Sequence, residues 1–289
     1  MTIQLDKRLN AWRPDLADIT LKGKVDASRF IQAEMATTLV SIASLRRGPG
    51  CEHPVDKELL RGEEVHIFEE KNGWCWVQSL RDRYVGYCEA KCFTKEKPNL
   101  THRVNVLRSS IFKEASLKTL IIDQLSLNSE VEVINTDGKF SQLSCGGWVY
   151  SKHLISLNEY TLPFQAAAKL YLNSPYIWGG NGHLGVDCSG LIQMAAYAAG
   201  HIIPRDTDMQ EAFFEEEVDG LDNIQIGDLL FWPGHVAIYD GNDIALHANA
   251  TEMMTCAHYL EFLLPHIEEQ EGTPLRSIKR PNLNLKTGS

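Results

Sequence analysis

The chain has 289 residues, enough for two or three domains, and its 44% hydrophobic and 23% charged content lets it bury a sizeable core without metals or disulfides. A formal net charge of −10 speaks against a nucleic-acid partner, because there is no basic excess to release counterions from a phosphate backbone. No run reaches the ~18 apolar residues of a membrane span, and the opening MTIQLDKRLNAWRPDLADIT has charges throughout and no apolar signal region. The expectation is therefore a cytoplasmic protein with no membrane partner.

Seven cysteines (Cys51, Cys75, Cys88, Cys92, Cys145, Cys188 and Cys256) are an odd number and read as reduced thiols. Cys88 and Cys92 stand four apart, but no second pair or nearby histidine completes a zinc set, so no metal is expected.

In chain order, residues 1–30 form a polar lead segment without periodicity. Across 31–97 the texture is that of short strands: VHIFEE, the turn pair Asn72-Gly73, WCWVQSL and RYVGYCEA alternate as hairpins do. Residues 98–157 repeat this plan at an offset of roughly sixty, with Leu107-Arg108 answering to Leu45-Arg46, Glu130-Val131 to Glu64-Val65, Gly138 to Gly73 and Gly147-Trp148 to Gly86-Tyr87. Two small β-barrels in tandem account for the repeat. Trp74, Trp76, Tyr84 and Tyr87 read as barrel core.

After a linker near 156–161 the character changes, and 160–289 reads as one further domain of α+β class. FQAAAKLYL predicts a helix, CSGLIQMAAYAAG a second one capped by Asp187 and stopped at Gly200, and then come the strands GDLLFW, HVAIYD and DIALHAN, with Gly241-Asn242 as the second turn. LRSIKR suggests a last strand before a loose tail. Gly180, Gly182 and Gly185 satisfy G-x-G-x-x-G, yet no βαβ unit surrounds them, so they read as shaping a loop and not as holding a dinucleotide.

Cys188 stands in the first turn of an otherwise apolar helix, where unpaired backbone N–H groups favour a thiolate. His235 opens a strand, and His247, twelve residues on, lies on the neighbouring one, so a hairpin brings the two side by side. A cysteine, a base and an orienting group make a nucleophilic triad.

DCSGLI, GDLLFWPGHVAIYDG and ALHA, spread over residues 163–260, resemble the NlpC/P60 family of papain-like cysteine peptidases, and LR…ELLRGEEVHIFEEKNGWCWVQ…YVGYCEAKCF resembles the bacterial SH3 domain. The resemblance implies a papain-like domain preceded by two SH3-like barrels, Cys188 as nucleophile, His235 as base, His247 as its orienter, and Tyr176 beside the Cys188 amide as an oxyanion contact. PRDTDMQ resembles the segment after the nucleophile helix, where Arg205 and Asp206 support the cleft; the same residues also read as a solvated turn and cap.

The three-domain plan resembles γ-D-glutamyl-L-diamino acid endopeptidases, which act on murein peptides with a free N-terminal L-alanine. That implies a murein-peptide substrate, a role in wall recycling and no cofactor. The substrate ammonium needs a carboxylate beside an aromatic wall, and Asp187 and Ser189, with Glu63 and Tyr84 from the first SH3-like domain, are the residues carried over. A thiolate–imidazolium pair is the expected resting state. Alternatives left open are a wall-peptide-binding module with an inactive peptidase domain, and an amidase or acyltransferase on the same scaffold. Nothing in the sequence sets an oligomeric state.

Overall fold

The computed structural model describes residues 5–286; the outermost ends of the lead segment and the tail, 1–4 and 287–289, lie outside it. The chain divides into two compact units, one comprising Met1–Val104 with Ser109–His153 and the other Asn105–Arg108 with Leu154–Ser289. Among the described residues no helix is long and apolar enough to cross a membrane.

In the first unit, β1 (Glu34–Thr38), β2 (Ile42–Arg46), β3 (Val55–Leu60), β4 (Glu64–Lys71), β5 (Trp74–Ser79), β6 (Val85–Glu89) and β7 (Phe93–Thr94) form one antiparallel sheet in the order β3-β2-β6-β5-β4-β1-β7. Asn72 and Gly73 both take positive φ (52° and 80°), the backbone a two-residue hairpin between β4 and β5 requires. Leu45, Leu59, Val65, Val77, Tyr84, Cys75, Cys88 and Cys92 fill the core, so Cys88 and Cys92 are packing residues.

The lead segment is not loose. Ala11 and Leu16 pack with Phe68 and Trp76 on the sheet's other face. Arg13 lies 4.3 Å over the Trp76 ring and bonds Glu69 at 2.7 Å and the Tyr87 hydroxyl at 2.8 Å. Trp76 and Tyr87 thus serve this second contact surface, and Tyr84 alone of the four aromatics belongs to the central core cluster.

A second sheet follows in the order β9-β8-β12-β11-β10, built from β8 (Arg108–Phe112), β9 (Ile121–Ser126), β10 (Val133–Asp137), β11 (Phe140–Leu143) and β12 (Trp148–Tyr150). Short 3-10 turns, Ala90–Cys92 and Ser151–His153, follow β6 and β12 alike. Both sheets belong to the same compact unit, joined where Gly62 (φ 86°) meets Glu130. A Cβ on Gly62 would stand 2.5 Å from the Glu130 carbonyl oxygen.

Among the described residues, the second unit holds a five-stranded antiparallel sheet and four α-helices. β13 (Leu229–Trp232), β14 (His235–Gly241), β15 (Ile244–Asn249), β16 (Met254–Tyr259) and β17 (Ser277–Lys279) run in the order β16-β15-β14-β13-β17. The helices are α1 (Phe164–Lys169), α2 (Cys188–Ala198), α3 (Thr207–Phe213) and α4 (Leu260–Glu271). Every residue of α2 is buried, which is why its sequence is mostly apolar, with the polar side chains of Ser189 and Gln193 hydrogen-bonded. It packs against β14 and β15. On one face of the sheet Leu230, Trp232, Ala237, Tyr239 and Ala245 meet Leu260, Leu263 and Ile267 of α4.

Two expectations change here. The β14–β15 turn is made by Asn242 and Asp243, both at positive φ, with Gly241 at an irregularity in the pairing. β16 and α4 are additional elements; Pro265 lies inside α4, so a sequence reading that treats proline as a breaker loses that helix.

Candidate active site

Cys188 is the first residue of α2. Asp187 caps that helix, accepting the Gly190 N–H at 2.7 Å. The Gly180 loop presses on the same turn: a Cβ on Gly190 would stand 2.3 Å from the Gly180 carbonyl oxygen, so the D-C-S-G glycine is a packing requirement. Asn181–Gly182 pairs with Gly185–Val186 as a minimal hairpin, so Gly182 and Gly185 belong to the loop that precedes α2.

Asp187 does more than cap. Arg205, 1% exposed, donates from both terminal nitrogens to its two carboxylate oxygens at 2.9 and 2.7 Å. The Gly179 N–H donates at 2.8 Å and the Ser189 hydroxyl at 3.3 Å, while Ser189 itself accepts from Arg205 at 2.7 Å. Arg205 is therefore a buried strut and not part of a solvated turn, and Asp206 stands at the N-cap position of α3.

The Pro233-Gly234 turn carries the chain from Trp232 to His235, which pair across β13 and β14. The Cys188 thiol lies 3.7 Å from the Gly234 carbonyl oxygen and 3.9 Å from the Thr207 hydroxyl. Alternation puts His235, Ala237 and Tyr239 on one face of β14, and the Tyr239–Ala245 pairing brings His247 to that face from β15. His235 Nε2 and His247 Nδ1 share a hydrogen bond of 2.9 Å. Cys188, His235, His247 and Tyr176 line one cleft of about 270 Å³, together with Trp178, Asn249, Glu252 and His258.

The row continues past the residues predicted from sequence. His247 Nε2 and His258 Nδ1 share a bond of 3.0 Å, and His258 Nε2 lies 3.2 Å from a Glu252 carboxylate oxygen. Three adjacent strands thus contribute one imidazole each, ending on a carboxylate. His258 and Glu252 were missed because β16 was; the alternation in MTCAHY was the available signal. Trp178, 65% exposed, is a further unpredicted lining residue.

Burial acts against charge throughout. It pushes the Cys188 thiol up to about 11, with Asp187 adding to the effect, and pushes His235 down to about 4. His247 is driven to about 2 by burial and then by the neighbouring imidazoles of His235, His258 and His266. Desolvation thus opposes both charges of the expected thiolate–imidazolium resting pair and acts against the field of the helix start.

Glu63 and Tyr84, carried over as substrate contacts, hold internal positions in the first unit. The Glu63 carboxylate is buried and accepts from Lys57 Nζ at 2.8 Å, the Ser79 hydroxyl at 2.9 Å and the Leu60 N–H at 3.2 Å. Lys57, fully buried, also pairs with Asp82 at 2.8 Å. Tyr84 is 4% exposed in the sheet core. The Glu63 carboxylate is therefore part of the sheet's own ion network, and an ammonium on it would have to share or displace these donors.

The NlpC/P60 family profile matches residues 173–265, and that of the bacterial dipeptidyl-peptidase Sh3 domain matches residues 45–91. Dipeptidyl-peptidase 6 of Lysinibacillus sphaericus is 31% identical, the match covering 74% of this chain and 87% of the relative. Gamma-D-glutamyl-L-lysine dipeptidyl-peptidase of Bacillus cereus is 33% identical over 79% of this chain and 85% of the relative. The crystal structure of an NlpC/P60 family protein from Bacillus cereus superposes with a TM-score of 0.71 at 20% identity, covering 85% of this chain and 99% of that one, which shows a shared fold. A cysteine at a helix start beside a paired-histidine sheet, and relatives matched across most of both chains, lead to one assignment: the chain belongs to the NlpC/P60 family of cysteine peptidases.

Proposed function

We propose that the chain hydrolyses the γ-D-glutamyl–diamino acid bond of cell-wall peptides that carry a free N-terminal L-alanine, releasing a dipeptide, in cytoplasmic recycling of wall fragments. The observation that carries this reading is the His235–His247 bond in the same cleft as Cys188. The names of the relatives, one of them a γ-D-glutamyl-L-lysine dipeptidyl-peptidase, support the choice of bond.

His235 uses Nε2 on His247, so Nδ1 is its remaining nitrogen for a proton. With a neutral resting pair, His235 acts as general base during attack: the thiol proton passes to Nδ1 as sulfur bonds the γ-glutamyl carbonyl carbon. The Cys188 N–H and Tyr176 are the oxyanion contacts. His235 then gives the proton to the departing amine, and water opens the thioester.

Asp187 and Ser189 remain the candidate ammonium contacts. An incoming ammonium must replace a donor already on Asp187, and the 3.3 Å Ser189 hydroxyl contact is the longest of these. Incubation with L-Ala-γ-D-Glu-diaminopimelate and with the lysine tripeptide, followed by mass analysis, tests the reading. The expected products are L-Ala-D-Glu and the free diamino acid. Cleavage at the Ala–Glu bond, or none with either peptide, overturns it.

A further inference from the structure

Beyond His247, three metal-capable side chains converge at the far end of the histidine row. Glu252, Cys256 and His258 each offer one ligand atom, and these atoms lie within 4.8 Å of one another. Alternation places Cys256 and His258 on one face of β16, and Glu252, from the turn before it, reaches back to His258 Nε2 at 3.2 Å. Ligand atoms around a tetrahedral zinc ion stand about 3.3–3.8 Å apart, given bonds of about 2.0–2.3 Å. Closing the set on an ion therefore requires the ligand atoms to draw in from within 4.8 Å of one another to that spacing.

The chemistry is selective. Thiolate, imidazole and carboxylate together suit zinc and its neighbours, whereas magnesium and calcium take oxygen ligands. The histidine is also held as a ligand should be: His258 Nδ1 is engaged by His247 Nε2 at 3.0 Å, which orients the ring and leaves Nε2 for the ion. Glu252 and His258 line the cleft, with side chains 44% and 34% exposed, so an ion has a way in.

We infer that Glu252, Cys256 and His258 form a site for Zn²⁺ or a like thiophilic divalent cation, and that filling it switches the peptidase off through the histidine row. On binding, Cys256 gives its thiol proton to solvent and the carboxylate and sulfur bond the ion, leaving a fourth position to water.

The switch follows from proton positions. Without the ion, Glu252 can accept from His258 Nε2–H. His258 Nδ1 then accepts from His247 Nε2–H, His247 Nδ1 accepts from His235 Nε2–H, and His235 Nδ1 is free to take the thiol proton. With the ion on His258 Nε2, the one proton of that ring sits on Nδ1 and donates to His247. The order along the row reverses, and His235 ends with its proton on Nδ1, so that nitrogen has no lone pair left to take the thiol proton. The switch rests on His235 being the base; the site does not.

Binding is tested first, in the full chain carrying Cys188→Ala so that the reactive thiol holds no metal. Zn²⁺ is titrated in competition with a chromogenic chelator, and Co²⁺ is followed by its thiolate charge-transfer band. The expected result is a bound ion whose zinc affinity falls at least about tenfold when Cys256→Ser is added, the lower end of what loss of a mere supporting partner costs a metal site. The cobalt band should disappear with it. Cys256→Ala, checked with Cys256→Ser for native circular dichroism, must behave alike. No zinc binding in Cys188→Ala, or binding untouched by both Cys256 variants, overturns the site.

Turnover of the L-Ala-γ-D-Glu-diamino acid tripeptide is measured next. Cys256→Ser, which leaves the histidine row intact, should match the unsubstituted chain without zinc and need at least about ten times more zinc for half-inhibition. Equal zinc sensitivity overturns the switch. If neither tripeptide is cut, the proposed substrate fails and the binding measurement still decides the site.

Discussion

Arg205 grips both carboxylate oxygens of Asp187, at 2.9 and 2.7 Å, from eighteen residues away, and so anchors the residue that immediately precedes Cys188. The start of α2 is held by this pair as well as by the cap. Arg205→Met leaves a buried carboxylate uncompensated, and urea unfolding should show a loss of about 3–5 kcal/mol. Arg205→Lys should recover only part of it, because an ammonium cannot match both oxygens. An unchanged midpoint in Arg205→Met would remove the pair from any supporting role.

The raised Cys188 thiol predicts how the residue reacts in the absence of substrate. Alkylation by iodoacetamide, followed by peptide mapping, should accelerate steadily from pH 6 to 9 with no plateau, since a thiol pushed up to about 11 stays protonated over that range. A rate already level at pH 6 indicates a preformed thiolate and contradicts the neutral pair. Cys188→Ala should lower turnover by several orders of magnitude, of order 10⁴–10⁶ by analogy with triad deletions.

Two neutral imidazoles, His247 buried and His235 half-buried, make the fold sensitive to acid. Their folded values, about 4 for His235 and about 2 for His247, lie below the ordinary 6.5, so the unfolded chain binds more protons below that pH. Stability is thus complete above about pH 6.5 and declines as pH falls toward 4. At pH 5 each histidine accounts for a loss on the order of 2 kcal/mol. Urea unfolding at pH 7 and 5 measures it, and His247→Phe should show a smaller difference between the two pH values than the unsubstituted chain. Equal differences refute the assignment.

Lys57 tests the place of Glu63 in the ion network. With the ammonium replaced in Lys57→Met, Glu63 and Asp82 share a buried site without their cation, and the expected cost is about 3–5 kcal/mol. Asp82, now held below its ordinary value by Lys57, should also titrate at higher pH. Retention of full stability in Lys57→Met means that Glu63 has no structural debt to this network.

Much of the site was legible because its determinants are local. D-C-S-G at the head of an apolar run predicts a capped helix with the sulfur in its first turn, and two histidines twelve apart around a tight turn predict neighbours on paired strands. The lead segment hid its role, because Ala11, Leu16 and Arg13 acquire a surface to cover only once Phe68 and Trp76 have been brought together.

From the sequence alone came Cys188 at the head of its helix and the His235–His247 pairing, both set by side-chain period, capping and turn chemistry over short spans. The tertiary structure alone decided that Asp187 belongs to Arg205, that Glu63 belongs to Lys57, and that the histidine row runs on to His258 and Glu252. It also decided how far the thiol is removed from water. These depend on which distant groups share a dry interior, and desolvation is a property of the enclosing atoms that no spacing along the chain encodes.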